Sequence, residues 1–93
     1  MISTVPFDLS KLKKENLEME LLRAAIISEL DAINLYEQLS ALTNNAKIKA
    51  VFMDVAKEEK THVGEFQALL LLFDKEQVKE LENGIKEVKD LTE

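Results

Sequence analysis

One stretch of the chain decides its fold: residues 48–73, which read IKAVFMDVAKEEKTHVGEFQALLLLF. Large side chains recur there in alternating steps of four and three, and this spacing places them on one stripe of an α-helix. The stripe consists of Ile48, Phe52, Val55, Glu59, His62, Phe66, Leu69 and Phe73. Its two central members, Glu59 and His62, are polar, and a buried charge is unfavourable unless it is paired or bound to a metal. A metal ion is therefore the leading candidate for what compensates the interruption.

The composition of the 93-residue chain predicts one small all-α domain. A hydrophobic content of 46% argues against general disorder, and two glycines with one proline leave little material for turns. Leu, Ala, Glu and Lys dominate instead, and these residues favour long helices. Because a chain this short buries only roughly 60–65% of its unfolded surface, oligomerisation would stabilise it considerably.

The net charge of −6 argues against nucleic acids and anionic membranes as partners, because both require a basic face. The same charge is compatible with attracting cations. The absence of cysteine excludes disulfides and thiolate metal sites, and it fits a reducing cytoplasm. Residues 1–8 lack the basic start and continuous apolar run of a signal peptide, and residues 69–73 are too few to span a bilayer. We therefore expect a cytoplasmic protein.

The pattern predicts three helices, at about residues 15–43, 45–73 and 75–91. Residues 1–7 are expected to form a loose tail, and Asp8 or Ser10 could cap a short first turn with Phe7 ahead of it. The break at residues 43–45 contains two asparagines, which tolerate the left-handed conformation and can also cap a helix; we expect Asn45 to cap the second helix. Two long helices joined by so short a turn must lie antiparallel.

The first helix carries a comparable polar interruption, because Glu29 lies within the apolar seam formed by Met19, Leu22, Ile26, Ile33 and Tyr36. Glu29 and Glu59 lie at similar distances before and after the turn, so both should be ~20–23 Å from the hairpin end. Antiparallel helices pack about 8–10 Å apart, which lets both carboxylates reach one ion. His62 lies one turn beyond Glu59 on the same face.

Two carboxylates and one imidazole are half of the ligand set of a ferritin-like di-iron centre, which takes one Glu from each of two helices and Glu-x-x-His from each of two others. A two-fold dimer would complete both the ligand set and a four-helix bundle, and would cover the exposed apolar stripes. Carboxylate and imidazole ligands without sulfur suit iron or manganese, with zinc as a further option. With two iron ions, the natural chemistry is oxidation of Fe(II) by dioxygen. Tyr36, two turns beyond Glu29 on the same seam, would be a hydrogen-bonding or redox-active neighbour.

Two segments resemble the encapsulated ferritins, the ferritin-like proteins housed in encapsulin nanocompartments. They read ISELDAINLYEQL at residues 27–39 and VFMDVAKEEKTHVGEF at residues 51–66, and the resemblance extends over about residues 8–90. More distantly, the pattern is similar to the half-bundle of rubrerythrin. The resemblance implies that Glu29, Glu59 and His62 are the ferroxidase ligands, that Tyr36 lies near the centre, and that Asp31 is one of the acidic residues that attract metal at the outer mouth of the site. Two positions depart from the family pattern: Ser28 replaces an acidic residue, and Leu35 lies where an aromatic residue can occur.

The same resemblance implies a partner and a location. It implies a ferroxidase site formed across a homodimer interface, with dimers assembled into a decameric ring. It also implies that the ring lies inside a cytoplasmic encapsulin nanocompartment, whose shell protein stores the oxidised iron. Many members end in a short Gly- and Leu-containing tail that docks to the shell, and residues 86–93 have no such tail. We therefore expect the natural chain to continue into a targeting tail or a fused shell protein.

Three other interpretations remain open at this point. Glu59 and His62 could be a pair on a helix surface, with no metal bound. The hairpin could be a non-enzymatic helical assembly module that dimerises for structural reasons. It could also be a rubrerythrin-like di-metal protein that reduces peroxide, although that branch usually carries a cysteine-based iron site and this chain has no cysteine.

Overall fold

The structure is a computed structural model that describes residues 16–93. Three α-helices follow one another: α1 (Leu17–Leu42), α2 (Ala46–Phe73) and α3 (Lys75–Thr92), with no strand within the described residues. Helices α1 and α2 form an antiparallel hairpin, whereas α3 leaves the end of α2 and packs mainly against that helix. The molecule measures 47 × 43 × 18 Å. The expected cap of a first turn at Asp8 or Ser10 and the loose tail at residues 1–7 lie outside the described residues.

The turn between α1 and α2 is held by side-chain hydrogen bonds. Asn45 caps α2, since its side-chain oxygen accepts hydrogen bonds from the backbone N–H groups of Lys47 and Ile48 at 3.0 and 3.1 Å. The Asn45 backbone N–H in turn donates to the hydroxyl of Thr43 at 3.1 Å. No residue has a positive φ within residues 16–93, so the turn uses the capping ability of asparagine rather than its tolerance of the left-handed conformation.

Residues next to the turn link the two helices directly. The Lys49 ammonium on α2 donates to the backbone carbonyl of Ser40 on α1 at 2.6 Å, and the Ser40 hydroxyl donates to the carbonyl of Lys49 at 3.4 Å. Ser40 is one of the few buried residues of the chain. This reciprocal pair fixes the last turn of α1 against the first turn of α2, which sets the register of everything further along the hairpin.

At the other end of the hairpin, Asp74 connects all three helices. Its carboxylate caps α3 by accepting from the backbone N–H of Gln77 at 3.0 Å, and its second oxygen accepts from the Arg23 guanidinium on α1 at 2.7 Å. The hydrogen bond from Gln77, followed by that from Arg23, holds the pKa of the Asp74 carboxyl below its ordinary value. Because α3 has few other contacts with the hairpin, Asp74 is the main polar link that orients it.

The core of the hairpin is thin. Four apolar side chains are buried between the helices: Ala32, Ile33, Ala56 and Leu70. A larger set of large apolar side chains is exposed, and it consists of Leu21, Ile27, Leu30, Leu42, Ile48, Val51, Met53, Leu69, Leu72, Phe73, Leu81, Ile85, Val88 and Leu91. Soluble monomers rarely expose so many large apolar side chains, so these residues indicate an interaction surface. Within residues 16–93, no helix is both long enough and apolar enough to cross a membrane.

Candidate metal centre

Three polar side chains meet at the middle of the hairpin. Glu29 lies near the midpoint of α1, and Glu59 and His62 lie near the midpoint of α2. The register set by the short turn brings the three side chains to the same level, as predicted from their distances to the turn. The structure therefore brings together the three residues that are predicted from the sequence as metal ligands.

One ring nitrogen of His62 faces both carboxylates. Its Nδ1 lies 3.3 Å from Oε2 of Glu29 and 3.4 Å from Oε2 of Glu59. Ionised carboxylates only accept hydrogen bonds, so hydrogen bonding among these groups requires the tautomer of His62 that carries a proton on Nδ1. The same three atoms would be the ligands of a bound cation. A divalent ion would take the place of the proton on Nδ1, and the three side chains would keep their relative positions.

The dimensions and chemistry of this cluster fit a metal ion. One ligand atom from each of Glu29, Glu59 and His62 lies within 4.8 Å of the other two. Two ligands that each lie ~2.1 Å from one ion are at most ~4.2 Å apart, so the distances from Nδ1 to the two carboxylates allow one ion to contact all three groups. Two carboxylate oxygens with one imidazole nitrogen form a donor set suited to iron or manganese.

The cluster is open on one side. The side chains of Glu29 and Glu59 are 19% and 20% exposed, whereas His62 is 42% exposed. The hairpin therefore encloses most of each carboxylate, whereas the imidazole is more open to solvent. Three ligands leave several coordination positions of an iron or manganese ion unfilled, so this half-open site has room for ligands from elsewhere.

Tyr36 lies on the same seam as Glu29 but two turns closer to the hairpin tip, ~10.5 Å along the helix axis. Its ring packs against Phe52 of α2, with ring centroids 6.1 Å apart and planes inclined at 41°. This distance is within the range of favourable aromatic pairs. The structure thus places Tyr36 in a packed aromatic pair on the tip side of the cluster, and its role in the chemistry stays a prediction.

Asp31 is not part of the three-residue cluster. Two residues along a helix correspond to a rotation of about 200°, so Asp31 lies on nearly the opposite side of α1 from Glu29. Among the described residues, the group that could hold a metal comprises Glu29, Glu59 and His62 alone. A role for Asp31 in attracting metal at the mouth of the site stays a prediction.

The acidic residues beside the seams lie at the surface. Glu37 forms an ion pair with Lys60 across the two helices at 3.0 Å, and both side chains are well exposed. An exposed pair of this kind contributes between about 0 and 1 kcal/mol. Glu58 and Glu65 are also exposed, as expected for a solvated face. None of the three acids joins the cluster of candidate ligands within residues 16–93.

The role of Asp74, which lies between the second and third predicted helices, was not predicted from the sequence. The signal was available, because Asp74 is followed three residues later by Gln77, a spacing typical of a helix N-terminus. Its ion pair with Arg23 has no comparable signal, since the two residues are far apart in the sequence and meet only through packing.

A family model described as rubrerythrin matches residues 20–92 of the chain. Among curated proteins, the chain is 60% identical over 79 residues to a ferritin-like–encapsulin shell fusion protein of Pyrococcus furiosus, a match that covers 85% of this chain and 23% of the fusion protein. It is 34% identical over 71 residues to an encapsulin nanocompartment cargo protein of Myxococcus xanthus, covering 76% of this chain and 55% of the cargo protein. The chain thus spans less than two thirds of the length of either relative.

A solved structure, the encapsulated ferritin domain from Pyrococcus furiosus, matches the fold with a TM-score of 0.84 at 50% sequence identity. The match covers 99% of this chain and 94% of that domain. The predicted fold class, an all-α half of a ferritin-like bundle, is confirmed by this agreement. The resemblance to encapsulated ferritins that was predicted from the two sequence segments is confirmed as well.

Proposed function

The chain belongs to the rubrerythrin family, and from this premise we propose that it is a ferroxidase. In this proposal it oxidises Fe(II) to Fe(III) with dioxygen. The reaction takes place at a di-iron centre formed between two copies of the chain. One observation carries the proposal: Glu29, Glu59 and His62 present ligand atoms within 4.8 Å of one another. They do so beside exposed apolar surface that a second copy would cover.

The need for a second copy follows from the ligand count. Two iron ions in a ferritin-like centre take four carboxylates and two imidazoles, which is twice the set that one hairpin holds. A closed two-fold dimer supplies the second set from the same three positions, because both partners present the same surface. The apolar residues around the cluster would be buried in the same step, so the fold and the site require the same partner.

Iron is the substrate in this reaction. Two Fe(II) ions each lose one electron, and dioxygen takes up both electrons together with two protons to become hydrogen peroxide. The four carboxylates of a dimer favour the more highly charged Fe(III) product over Fe(II), since opposite charges attract more strongly when one of them grows. The half-enclosed position of the carboxylates strengthens this attraction relative to bulk water.

The residues of the chain have distinct roles in this proposal. Glu29 and Glu59 bind the ions and balance their charge, and the Nδ1 atom of His62 loses its proton and becomes a ligand. Tyr36, held against Phe52 and two turns from Glu29, is the hydrogen-bonding or redox-active neighbour of the centre in this proposal. Asp31, half-buried on another side of α1, raises the local concentration of cations through its charge.

We also propose a cytoplasmic location inside an encapsulin nanocompartment, in which the shell stores the oxidised iron. The support comes from relatives that are named as an encapsulin fusion and as encapsulin cargo. Assembly of dimers into a decameric ring belongs to the same proposal, and α3, with its largely exposed apolar face, offers additional surface for it.

Aerobic addition of Fe(II) tests the activity directly. We expect rapid formation of Fe(III), which Glu29→Ala, Glu59→Ala or His62→Ala abolishes. Glu58→Ala is the matched control, because Glu58 is an exposed acid next to Glu59 that does not belong to the cluster, and it should oxidise Fe(II) like the wild type. Wild-type rates in all three cluster variants would refute the assignment of the site.

A further inference from the structure

Helix α3 projects from the end of the hairpin instead of lying along it. The molecule measures 47 × 43 × 18 Å, and α2, with 28 residues, accounts for the longest dimension at ~42 Å. Two packed helices are only ~20 Å wide, so the 43 Å dimension requires α3, with 18 residues and ~27 Å long, to extend to one side. The radius of gyration of 16.6 Å, against about 12 Å for a compact domain of this length, agrees with a projecting arm.

A single residue joins α3 to the hairpin. Asp74 lies between Phe73, the last residue of α2, and Lys75, the first residue of α3, and its backbone angles (φ −106°, ψ 87°) are not helical. Its backbone N–H donates to the carbonyl of Leu70 at 2.9 Å, and its carbonyl accepts from the N–H of Val78 at 3.3 Å. These bonds continue each helix up to Asp74 but do not fix the angle between the helices. Rotation at this one residue therefore moves α3 as a unit.

A polar contact with α1 fixes that angle. One carboxylate oxygen of Asp74 accepts a hydrogen bond from the Arg23 guanidinium at 2.7 Å, while the other accepts from the backbone N–H of Gln77 and caps α3. The carboxylate thus holds α1 with one oxygen and α3 with the other. The Arg23 side chain is 48% exposed, so it can leave the carboxylate without passing through a packed core. The ion pair is therefore a reversible latch.

The angle between α3 and the hairpin contains an unfilled apolar groove of about 330 Å³, here termed the hinge groove. Ile26 and Ile27 of α1 and Leu81 of α3 line it, and so does Arg23. Leu81 also lines a second apolar groove, which runs along α3 together with Ile85. The apolar face of α3 is therefore continuous with the hinge groove and lies on the inner side of the angle.

Helix α1 carries an exposed apolar stripe that this face can cover. Arg23, Ile27 and Leu30 follow one another in steps of four and three, so they lie on one face of α1. Ile27 is 41% exposed and Leu30 is 50% exposed, and these two residues are here termed the α1 stripe. The stripe lies about 100–160° around the helix from Glu29, so it is separate from the candidate metal centre.

The distances from the latch match on the two sides of the angle. Leu30 lies seven residues beyond Arg23, or ~10.5 Å along α1. Leu81 and Ile85 lie seven and eleven residues beyond Asp74, or ~10.5 and ~16.5 Å along α3. If α3 turned toward the hairpin tip, its apolar face would therefore meet the α1 stripe.

We propose that α3 is a hinged arm with an extended and a closed position, and that the ion pair between Arg23 and Asp74 holds it in the extended position seen in the structure. In the closed position α3 turns at Asp74, fills the hinge groove and covers the α1 stripe. Closure buries apolar surface, which is favourable, and breaks the ion pair, which is not. Neither position changes the candidate metal ligands, so the hinge is independent of the proposed ferroxidase.

The latch controls how much of α3 other molecules can reach. In the extended position Ile85 and Val88 are 67% and 60% exposed, and closure would cover them with the hairpin. Assembly beyond a dimer through α3, as in the proposed ring, would therefore require the extended position. High ionic strength weakens an ion pair near the surface, so salt should favour closure.

Spin labels test the two positions, because the chain has no natural cysteine. Glu58→Cys on α2 and Asp90→Cys on α3 are exposed sites that each lie sixteen residues from Asp74, or ~24 Å along the helix. Near a right angle the two sites are ~34 Å apart, and packing of α3 along the hairpin brings them to ~10 Å. Pulsed electron–electron double resonance measures the distance, with labelled chains diluted in an excess of unlabelled chain so that distances within one chain dominate.

We expect the long distance to dominate in the otherwise unchanged chain. Arg23→Gln should raise the fraction at short distance by about two- to fivefold, the change in population that loss of one such ion pair produces. Arg23→Lys keeps the charge and should stay closer to the wild type. Lys60→Gln is the matched control, because it removes the other ion pair between exposed side chains of the hairpin, with Glu37, and leaves the latch intact.

Three results would overturn the hinged arm. An unchanged long distance in Arg23→Gln would mean that the ion pair does not hold α3. A broad distribution without a short-distance peak would mean that the arm moves freely and does not close. An equal shift in Lys60→Gln would mean that loss of any surface charge has the same effect.

A disulfide within one chain provides an independent measurement. Leu30→Cys and Ile85→Cys are combined and oxidised, and a disulfide requires Cα atoms closer than about 7 Å, which the closed position provides. It should form about two- to fivefold faster when Arg23→Gln is added. Leu30→Cys with Leu91→Cys is the control pair, since Leu91 lies ~25 Å beyond the hinge and cannot meet Leu30. Absence of the first disulfide in every background, with helical circular dichroism intact, would refute the closed position.

Discussion

Nδ1 of His62 on α2 lies 3.3 Å from Oε2 of Glu29 on α1, so one imidazole nitrogen joins the two helices at the middle of the hairpin. The same nitrogen lies 3.4 Å from Oε2 of Glu59, its neighbour one turn earlier. Without metal, a proton on Nδ1 would reduce the repulsion between the two carboxylates, which lie close together. With a cation in its place, the three groups become ligands with little rearrangement. The arrangement therefore stabilises the hairpin and prepares the candidate site at the same time.

Iron binding should depend on assembly. We expect saturation near one Fe(II) per chain, or two per dimer, because each hairpin holds half of the ligand set. Equilibrium ultracentrifugation with and without Fe(II) under anaerobic conditions should show a shift toward larger species. Glu29→Gln, which keeps the shape but removes the charge, should weaken binding by about tenfold or more. A monomer that binds two ions tightly would contradict the half-site argument.

Loss of the α2 cap should destabilise the hairpin. Asn45→Ala removes the oxygen that satisfies two backbone N–H groups, so we expect the free energy of unfolding to fall by about 1 kcal/mol. Urea denaturation at fixed protein concentration measures the difference. Asn44→Ala is the matched control in the same turn, because no side-chain hydrogen bond of Asn44 supports the cap. An equal loss in both variants would contradict a specific contribution of the Asn45 cap to stability.

The stability contributed by Asp74 should depend on pH. Its pKa is lowered in the folded state, chiefly by the hydrogen bond from Gln77 and then by Arg23, so folding favours the ionised form. The contribution is therefore fully present above the unfolded pKa and is lost as the pH falls through the lower, folded pKa. Asp74→Asn keeps a capping side chain but has no charge, so its unfolding free energy should lie below that of the wild type at neutral pH. The difference should disappear in acid.

The measurement is urea unfolding of both proteins across the acidic range at one concentration. Arg23→Gln removes the second cause of the lowered pKa, and it should reduce the pH dependence without abolishing it, because the backbone hydrogen bond remains. A constant difference between wild type and Asp74→Asn at every pH would show that the carboxylate charge contributes nothing.

The close approach of α1 and α2 should not tolerate a larger residue at position 56. Ala56 is 1% exposed between the helices, so Ala56→Leu must displace neighbouring side chains or the helix itself. We expect a loss of about 1–3 kcal/mol in the free energy of unfolding. Ala68→Leu, on an exposed face of the same helix, is the control and should change stability little. Thermal unfolding of both variants, followed by circular dichroism, distinguishes them.

A changed register in Ala56→Leu would also move Glu59 relative to Glu29, because both helices meet at this position. The variant should therefore oxidise Fe(II) more slowly even where it remains folded. Full activity together with wild-type stability would show that the interface is looser than the burial of Ala56 indicates.

The sequence alone determined the class of the fold and the identity of the three candidate ligands. Apolar spacing is periodic, so it defines helices, and a short turn forces two long helices to lie antiparallel. Glu29, Glu59 and His62 are recognisable because they interrupt apolar seams at matching distances from that turn. These properties depend on residues that are close in the sequence. Because a helix is regular, they also predict the relative positions of residues many turns apart.

Only the tertiary structure decided how the elements are held and which neighbours each site residue has. It showed that Nδ1 of His62 faces both carboxylates, that Tyr36 packs on Phe52, and that Asp31 lies away from the cluster. It also revealed Asp74 as the link between Arg23 and α3. Such relationships depend on side-chain rotamers and on helix packing. These side-chain contacts are determined jointly by residues far apart in the sequence, and the periodic pattern of apolar residues does not predict them.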